Sequence, residues 1–170
     1  MPTPKKAPCP ACGAEQHINN LERHWIVRYD HELDQTVRQA KQVPVLINYS
    51  VGTRRFEKYP DDVDLKLIEK LENHPIAYSV PNVHLPEGFN TQQPLKSHGF
   101  SHVHHFFTRR NLNLLCSMWN RVLKLPDPLA RFCGLYVLTG SIQRVCRLNR
   151  YMPNHDRHVG PLSGTLYVSQ

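Results

Sequence analysis

Two cysteines near the start of the chain have the spacing of a metal-binding turn. The segment Cys9-Pro10-Ala11-Cys12-Gly13 is a CPxCG motif, and two cysteines separated by two residues can place both thiolates on one tetrahedral ion. Gly13 tolerates the backbone turn that such a site requires. The motif predicts a structural zinc ion held by Cys9 and Cys12. An unmetallated or redox-active pair is the alternative, which the lack of a surrounding βαβ pattern disfavours.

The rest of this zinc site is not evident from the residue pattern. The sequence has no second CxxC motif, and the other three cysteines lie inside helical patterns. His17 and His24 are the nearest imidazoles, but neither completes a ligand spacing that is typical of zinc. The alternative is that the missing pair lies on another chain or on sequence that this chain does not include.

A second group that could do chemistry is a cluster of histidines ahead of a predicted helix. In an extended segment His102 and His104 would share one face, so that two imidazoles could meet one ion. No carboxylate or cysteine lies nearby in the sequence to complete a site, and no nucleophile is evident to pair with a general base. Neutral imidazoles that bond the helix start or pack beside Phe106 and Phe107 are the favoured interpretation, and no catalytic residue is assigned. The cluster consists of His98, His102, His104 and His105.

The positive charge of the chain is concentrated in its last part. The formal net charge is +7; residues 98–170 carry nine Arg or Lys against two acids, and the first 97 residues carry twelve of each sign. This asymmetry predicts an anionic partner, with DNA as the first candidate. Arg144, Arg147 and Arg150 recur every three residues and would form one stripe at a helix end, either solvated or facing phosphate. The candidate DNA contacts are Arg109, Arg110, Arg144, Arg147 and Arg150.

Composition limits the class of protein. A hydrophobic content of 40% over 170 residues is enough for one ordinary folded core, or for a small core with an appended module. No apolar run approaches the roughly 20 residues that span a bilayer, and the two N-terminal lysines are not followed by a signal-peptide core. Five cysteines, an odd number, suit a reducing compartment. We therefore expect a cytoplasmic protein without a membrane partner.

The strand patterns lie in the first third of the chain. β-branched and aromatic residues predict strands over residues 25–29 and 43–51. The segment HELDQTVRQAKQ between them fits a wide polar loop or a short helix. Together these elements predict a β-module around the cysteine motif, a possible zinc ribbon, over residues 1–58.

Helix signals follow in the other two parts of the chain. Aspartates after Pro60 predict a helix that runs to Asn73, and they act as caps rather than as a metal cluster. Residues 74–97 hold four prolines and predict an extended connector, so that residues 59–97 form the second part. Residues 98–170 form the third, with helices that start after Thr108 and Asp127 and a terminal strand over 163–168. The second of these helices is apolar nearly all round, so its middle is expected in the core. The fold class is α+β, a small zinc-knuckle β-module followed by a mainly helical basic part.

Five segments follow one another along the chain in an order that has a parallel in a known family. They are CPACGAE, DDVDLKLIEKLE, LPEGFNTQQPLKSHGFSHVHHFFTRRNL, LNRYMPN and GPLSGTLYV. Together they resemble the central region of bacterial site-specific DNA methyltransferases, which transfer a methyl group from S-adenosylmethionine to an amino group. The resemblance covers most of the chain from Cys9 onward, and is strongest over residues 98–111 and 160–168.

The resemblance implies an incomplete piece of a Rossmann-like enzyme of restriction-modification type. In such enzymes a glycine-rich cofactor motif precedes this region and an acidic-Pro-Pro-aromatic tetrapeptide follows it; neither occurs in this sequence. It therefore implies a fragment or split subunit that contributes DNA contacts, with S-adenosylmethionine bound only by the complete enzyme. The remaining methyltransferase halves, or a second copy of the chain, are the implied protein partners. The alternatives are a stand-alone zinc-knuckle nucleic-acid-binding protein and an interaction subunit whose helix face around Leu112 and Trp119 docks a catalytic partner.

Overall fold

The computed structural model describes residues 6–17, 21–152 and 157–159, and these form a mixed α+β fold. Each strand pairs with the next one along the chain, so that the described strands make four two-stranded antiparallel sheets. The predicted α+β class is confirmed at this level. The described strands include no parallel pair, so the Rossmann-like organisation stays a prediction. The strands are β1 Lys6–Pro8, β2 Glu15–His17, β3 Trp25–Asp30, β4 Gln35–Ala40, β5 Ile47–Val51, β6 Arg54–Lys58, β7 Arg150–Met152 and β8 Arg157–Val159.

The hairpin of β3 and β4 is the longest paired segment among the described residues. Its register runs from Trp25 opposite Ala40 to Asp30 opposite Gln35. The prediction of a loop or short helix over residues 31–42 was therefore wrong for residues 35–40, which form β4. The polar sequence of β4 carries little strand signal of its own, and its pairing with β3 outweighs that weak local preference.

The hairpin of β5 and β6 is shorter than the predicted strand over residues 43–51. Pairing begins only at Ile47, opposite Lys58, and the chain reverses at Gly52 in a left-handed conformation with φ 60°. The segment that precedes Ile47 contains Pro44, which has no N–H to donate to a ladder. This hairpin is largely exposed.

Local capping signals explain three of the four α-helices that the structure describes. The Asp61 side chain accepts hydrogen bonds from the N–H groups of Val63 and Asp64, and the Asp64 carboxylate accepts one from the Asp61 N–H. The prediction that these aspartates act as caps is confirmed, as are the helix starts at Thr108 and Asp127. None of the described helices is long and apolar enough to cross a lipid bilayer. The helices are α1 Asp62–Glu72, α2 Phe89–His98, α3 Arg109–Leu123 and α4 Pro128–Ile142.

Helix α2 covers the last part of residues 74–97 and ends one residue beyond them, so the prediction of an extended connector was wrong for this part. Pro94 sits within it and is buried, and Gly88 at its start provides no side-chain cap, so the usual start signal is missing. Its end is well defined, because Gly99 adopts φ 75° and its N–H donates to the Leu95 carbonyl. A Cβ at Gly99 would lie 2.2 Å from the carbonyl oxygen of Arg38 on β4. The close approach of α2 to the β3–β4 hairpin therefore requires glycine.

Four of the ten buried side chains among the described residues are polar. The buried apolar residues are few, and Phe107, Leu112 and Cys116 form their main cluster. The expectation that the middle of α4 is core was wrong, since Leu138 is its one buried residue. The buried polar residues are Asp30, Gln39, His104 and His105.

We expect Gly99→Ala to destabilise the protein far more than Gly52→Ala. Both glycines have positive φ, so each substitution carries a backbone cost of about 1 kcal/mol. Only Gly99 adds a clash with the backbone of β4, which should raise the loss to roughly 2–4 kcal/mol. Urea denaturation followed by circular dichroism measures both; equal losses would show that the contact between α2 and β4 does not matter.

Candidate functional site

A buried carboxylate and two buried imidazoles meet between the β3–β4 hairpin and the helical part. Asp30 Oδ2 lies 2.7 Å from His105 Nε2 and 2.9 Å from His104 Nε2. Asp30 is 5% exposed and His105 is fully buried. We call these three residues the Asp-His-His cluster. It joins segments that lie 74 and 75 residues apart in the sequence.

Strand alternation and a short 3-10 helix place these side chains. On β3, Arg28 and Asp30 alternate with exposed Val27 and Tyr29, so that Asp30 points to the buried side of the hairpin. The two histidines lie in the 3-10 helix Val103–Phe106, not in an extended segment. The arrangement in which His102 and His104 share one face of a strand, which was the disfavoured interpretation of the cluster, therefore does not occur. The carboxylate that the sequence analysis did not find near the histidines is Asp30.

The hydrogen bonds of His105 determine where its proton lies. Its Nδ1 accepts from the backbone N–H groups of Ser101 and His102, at 3.2 and 3.4 Å. A nitrogen that accepts has no hydrogen, so in the neutral ring the proton is on Nε2 and is donated to Asp30. The Oδ1 atom of Asp30 accepts from the Glu32 N–H at 3.0 Å. Both carboxylate oxygens are therefore used.

The same bonds decide whether the cluster fits a metal ion. The ligand atoms of Asp30, His104 and His105 lie close enough together to be considered as a metal site. However, His105 Nε2 carries a proton in this arrangement and has no lone pair for a metal, and its contact with Asp30 has hydrogen-bond length. Metal binding would require loss of that proton or a turn of the ring that breaks two backbone hydrogen bonds. The geometry therefore favours a hydrogen-bonded cluster.

The charge states of the cluster follow from burial and these bonds. Burial raises the pKa of Asp30, but the hydrogen bonds from His104 and His105 lower it by more, so that it lies well below its ordinary value. Burial lowers the pKa of His105 to about 4, although the bond to Asp30 opposes this shift. At neutral pH the cluster therefore combines an ionised Asp30 with a neutral His105.

A cleft of about 990 Å³ adjoins the cluster and is lined by an excess of basic side chains. Six basic and three acidic residues line it, and Asp30 and His104 form part of its wall. Exposed Arg110 lies at its rim, whereas the guanidinium of Arg147 is drawn inside, with its side chain 9% exposed. The basic lining residues are Arg23, Arg28, Lys41, Arg109, Arg110 and Arg147.

The predicted DNA contacts occupy different surroundings. Arg109 is held inside the fold, because its Nε donates to the His74 carbonyl at 2.6 Å and its Nη1 lies 3.4 Å from Glu32 Oε1. Arg110 and Arg144 are exposed. The side chain of Arg150 lies outside what the structure describes.

The predicted helical stripe of Arg144, Arg147 and Arg150 does not form. Helix α4 ends at Ile142 and continues as a 3-10 turn over Gln143–Val145, after which Cys146 is extended and a strand starts at Arg150. Regular three-residue spacing gives one face only while the helix continues. The backbone N–H of Arg147 donates to the Phe106 carbonyl at 2.7 Å, which draws this residue into the protein.

Cys9 and Cys12 lie in the turn of the β1–β2 hairpin. The Gly13 N–H donates to the Cys9 carbonyl at 2.8 Å, and Gly13 has φ 73°. Hydrogen bonds from the backbone N–H groups of Ala11 and Cys12 lower the pKa of the Cys9 thiol. This favours the thiolate that a zinc ion needs at Cys9, and zinc binding by the pair stays a prediction. Among the described residues, no third ligand atom completes a metal-sized group with them.

Arg28, Asp30 and Gln39 are the site residues that the sequence analysis missed. Their signal was weak but present, because two charged residues fall on the same side of a strand whose other side carries Val27 and Tyr29. Charged residues on the buried side of a strand are expensive unless they are paired or functional. Gln39 lay in a segment that was not assigned as a strand.

Comparison with known proteins returned nothing: no family model matches the chain, and no match was found to a curated protein or to a solved structure. The resemblance to DNA methyltransferases therefore rests on the quoted segments alone.

We expect the stability of the protein to fall as the pH drops from about 6.5 to about 4. The unfolded chain binds a proton at His105 with a pKa near 6.5, whereas the folded chain does so only near pH 4. Between these values the unfolded state is favoured by up to roughly 3 kcal/mol. Urea denaturation at several pH values measures this slope.

The variant His105→Gln should have a smaller slope in this pH window. Its amide can still donate to Asp30 but does not titrate, and it loses the acceptor that serves two backbone N–H groups, so stability at pH 7 should be lower. Some slope should remain, because burial also lowers the pKa of His98 and of His102. A variant with the full wild-type slope would contradict this role of His105.

Proposed function

We propose that this chain is the DNA-contacting piece of an S-adenosylmethionine-dependent DNA methyltransferase and is not catalytically complete alone. The observation that carries the proposal is the cleft, which has six basic and three acidic lining residues. The sequence agrees with it, because residues 98–170 contain nine basic and two acidic residues. A concave basic surface attracts phosphate and focuses the field of the charges. The family named in the proposal comes from the sequence resemblance.

The contribution of the chain is the binding and positioning of DNA. Exposed Arg110 and Arg144 are available to neutralise phosphates, and contacts of this type fix orientation without reading sequence. The side chains of Arg109 and Arg147 are held inside the fold, so they add positive charge to the cleft rather than an exposed contact. The methyl donor S-adenosylmethionine, when bound by the complete enzyme, supplies the methyl group. We assign no residue of this chain to the donor, because the glycine-rich motif and the acidic-Pro-Pro-aromatic motif do not occur in it.

An exposed apolar helix supports the fragment over the stand-alone binding protein. One face of α4 carries Leu129, Phe132, Tyr136 and Val137, which are 64 to 73% exposed. An apolar face of this size on a helix is typical of a surface that another protein element covers. The proposed occupants are the remaining methyltransferase halves or a second copy of the chain. The interaction face predicted around Leu112 and Trp119 lies on α3 and differs from this one. Leu112 is buried within the chain, whereas Trp119 is exposed.

The zinc ion and the compartment belong to the same proposal. Cys9 and Cys12 would hold a structural zinc ion, shared with ligands from elsewhere. All five cysteines are free thiols, which is consistent with the proposed cytoplasmic location.

We expect the purified chain to bind DNA with a strong salt dependence. Arg110→Ala and Arg144→Ala should each weaken binding and reduce the slope of log K against log salt by about one. Lys6→Ala is the matched control, because it removes the same charge from an exposed ion pair with Glu15 outside the basic part. Fluorescence anisotropy measures all three. Salt-independent binding, or an equal effect of Lys6→Ala, would contradict the proposed contacts.

The methyltransferase assignment has its own test. Calorimetric titration with S-adenosylmethionine should give no binding heat for the chain alone, and a neighbouring reading frame should encode the acidic-Pro-Pro-aromatic motif. Cofactor binding by the isolated chain would show that it is not an incomplete piece. DNA binding without such a neighbouring frame would favour the stand-alone nucleic-acid-binding protein.

We expect zinc to co-purify with the chain at about one ion per two chains, in a dimer that satisfies the tetrahedral site with four thiolates. Cys9→Ser should abolish zinc binding, whereas Cys133→Ser should retain it, because Cys133 is an exposed thiol on α4. Elemental analysis measures the zinc content per chain, and sedimentation velocity measures whether the chain is a monomer or a dimer. A monomer with a full zinc ion would contradict the shared site.

A further inference from the structure

The inner wall of the cleft carries buried hydrogen-bond donors without partners. The Nε–H of Arg28, the Nε–H of Arg147 and the Nε2 amide of Gln39 are all shielded from solvent and have no hydrogen-bond partner among the described residues. All three residues line the cleft, and Gln39 is 2% exposed. An unsatisfied buried donor is costly, and a folded protein rarely keeps three such groups around one cavity.

The two arginines are also poorly neutralised by the protein itself. Among the described residues Arg28 has no ion pair, and the nearest carboxylate oxygen of Glu72 lies 3.8 Å from Arg147 Nη2. Burial and the charge of Arg28 lower the pKa of Arg147 to about 10. Two guanidinium groups that repel each other inside a cleft form an arrangement that an anion would stabilise.

Asp30 does not fill this role, although it lies two residues after Arg28 on the same side of β3. Its Oδ2 accepts from His104 and His105, and its Oδ1 accepts from the Glu32 N–H. Among the described residues Asp30 therefore pairs with the two histidines and with neither arginine. The Nε–H groups of Arg28 and Arg147 remain without an acceptor.

We propose that Arg28, Gln39 and Arg147 form a binding site for one phosphate group at the inner end of the cleft. The Nε–H side of a guanidinium presents a fork of two donors that matches phosphate oxygens. Three donor groups from three chain segments suit a tetrahedral anion, whose oxygens point in several directions, better than a planar carboxylate. A cleft of about 990 Å³ has room for the nucleotide that carries the phosphate.

This inference rests on the proposed function only for the source of the phosphate. If the chain contacts DNA, the group is an internal phosphodiester of a DNA strand. If it does not, the group is the terminal phosphate of a free nucleotide. The chemistry of the site is the same in both cases, and the experiment separates them.

The test compares ligand-induced thermal stabilisation of the full chain and of Arg28→Met. Phosphate and deoxyadenosine monophosphate should raise the melting temperature of the wild type above that in chloride or acetate of equal ionic strength. Arg28→Met should weaken phosphate binding by about tenfold or more, since one charge-assisted fork is lost.

The melting temperature of Arg28→Met without phosphate should not fall, because the variant removes repulsion with Arg147. If the role of Arg28 were purely structural, this melting temperature would fall. Gln39→Leu should also lower the phosphate effect.

The matched control is Arg38→Met, which removes the same charge from the same hairpin. Arg38 lies outside the cleft, and its guanidinium is 4.9 Å from the centre of the Trp25 ring. This variant should keep the full phosphate effect. Three outcomes would overturn the site. They are a wild type that acetate stabilises as much as phosphate does, a wild type that phosphate does not stabilise, and an Arg38→Met variant that loses the phosphate effect to the same extent as Arg28→Met.

The affinity for DNA that has no terminal phosphate distinguishes an internal phosphodiester from a free nucleotide as the source of the phosphate. A loss of its affinity in Arg28→Met assigns the site to an internal phosphodiester, whereas an unchanged affinity assigns it to a free nucleotide. Phosphate stabilisation of a wild type that does not bind DNA would overturn the proposed function and support the site. DNA binding without any phosphate effect would overturn the site alone.

Discussion

The position of the β3–β4 hairpin against the helical part depends on the carboxylate of Asp30. One of its oxygens accepts from both His104 and His105, and so ties the β3–β4 hairpin to a helical part more than 70 residues away. Buried Phe100 packs beside His105, so these hydrogen bonds act together with apolar packing to fix the position of the hairpin. A buried carboxylate that lost these donors would be uncompensated, which is among the most destabilising changes in a protein.

The use of Asp30 for this purpose leaves Arg28 in the adjoining cleft without a carboxylate partner. Arg28 lies on the same side of β3 as Asp30, two residues before it. Both oxygens of the carboxylate accept from imidazole or backbone N–H groups, and among the described residues Asp30 forms no ion pair with Arg28. The interaction that holds the fold together thus leaves a cationic wall beside it, and binding of an anion there would relieve the repulsion between Arg28 and Arg147.

The features that could be predicted from the sequence were those with local causes. Asp61, Thr108 and Asp127 each bond N–H groups within three residues, so their helix starts are evident in the residue order. Strand β4, helix α2 and the Asp-His-His cluster depend on partners far away in the sequence. Gln35–Ala40 is a strand because β3 pairs with it, and Phe89–His98 ends where Gly99 meets β4. The pairing of Asp30 with the histidines has no local signal, which is why the candidate site was only partly predicted.

The exposed face of α4 and the cationic wall of the cleft each lack a partner, and the two partners differ in chemistry. Phe132 and Tyr136 are apolar surface without a cover, whereas Arg28 and Arg147 are buried donors without an acceptor. A single partner of one chemical type satisfies one of these and leaves the other unsatisfied. A protein element would cover the helix and an anion would fill the cleft, and an enzyme that assembles around DNA supplies both. The proposed methyltransferase assembly accounts for the two features together, and a stand-alone DNA-binding protein accounts only for the second.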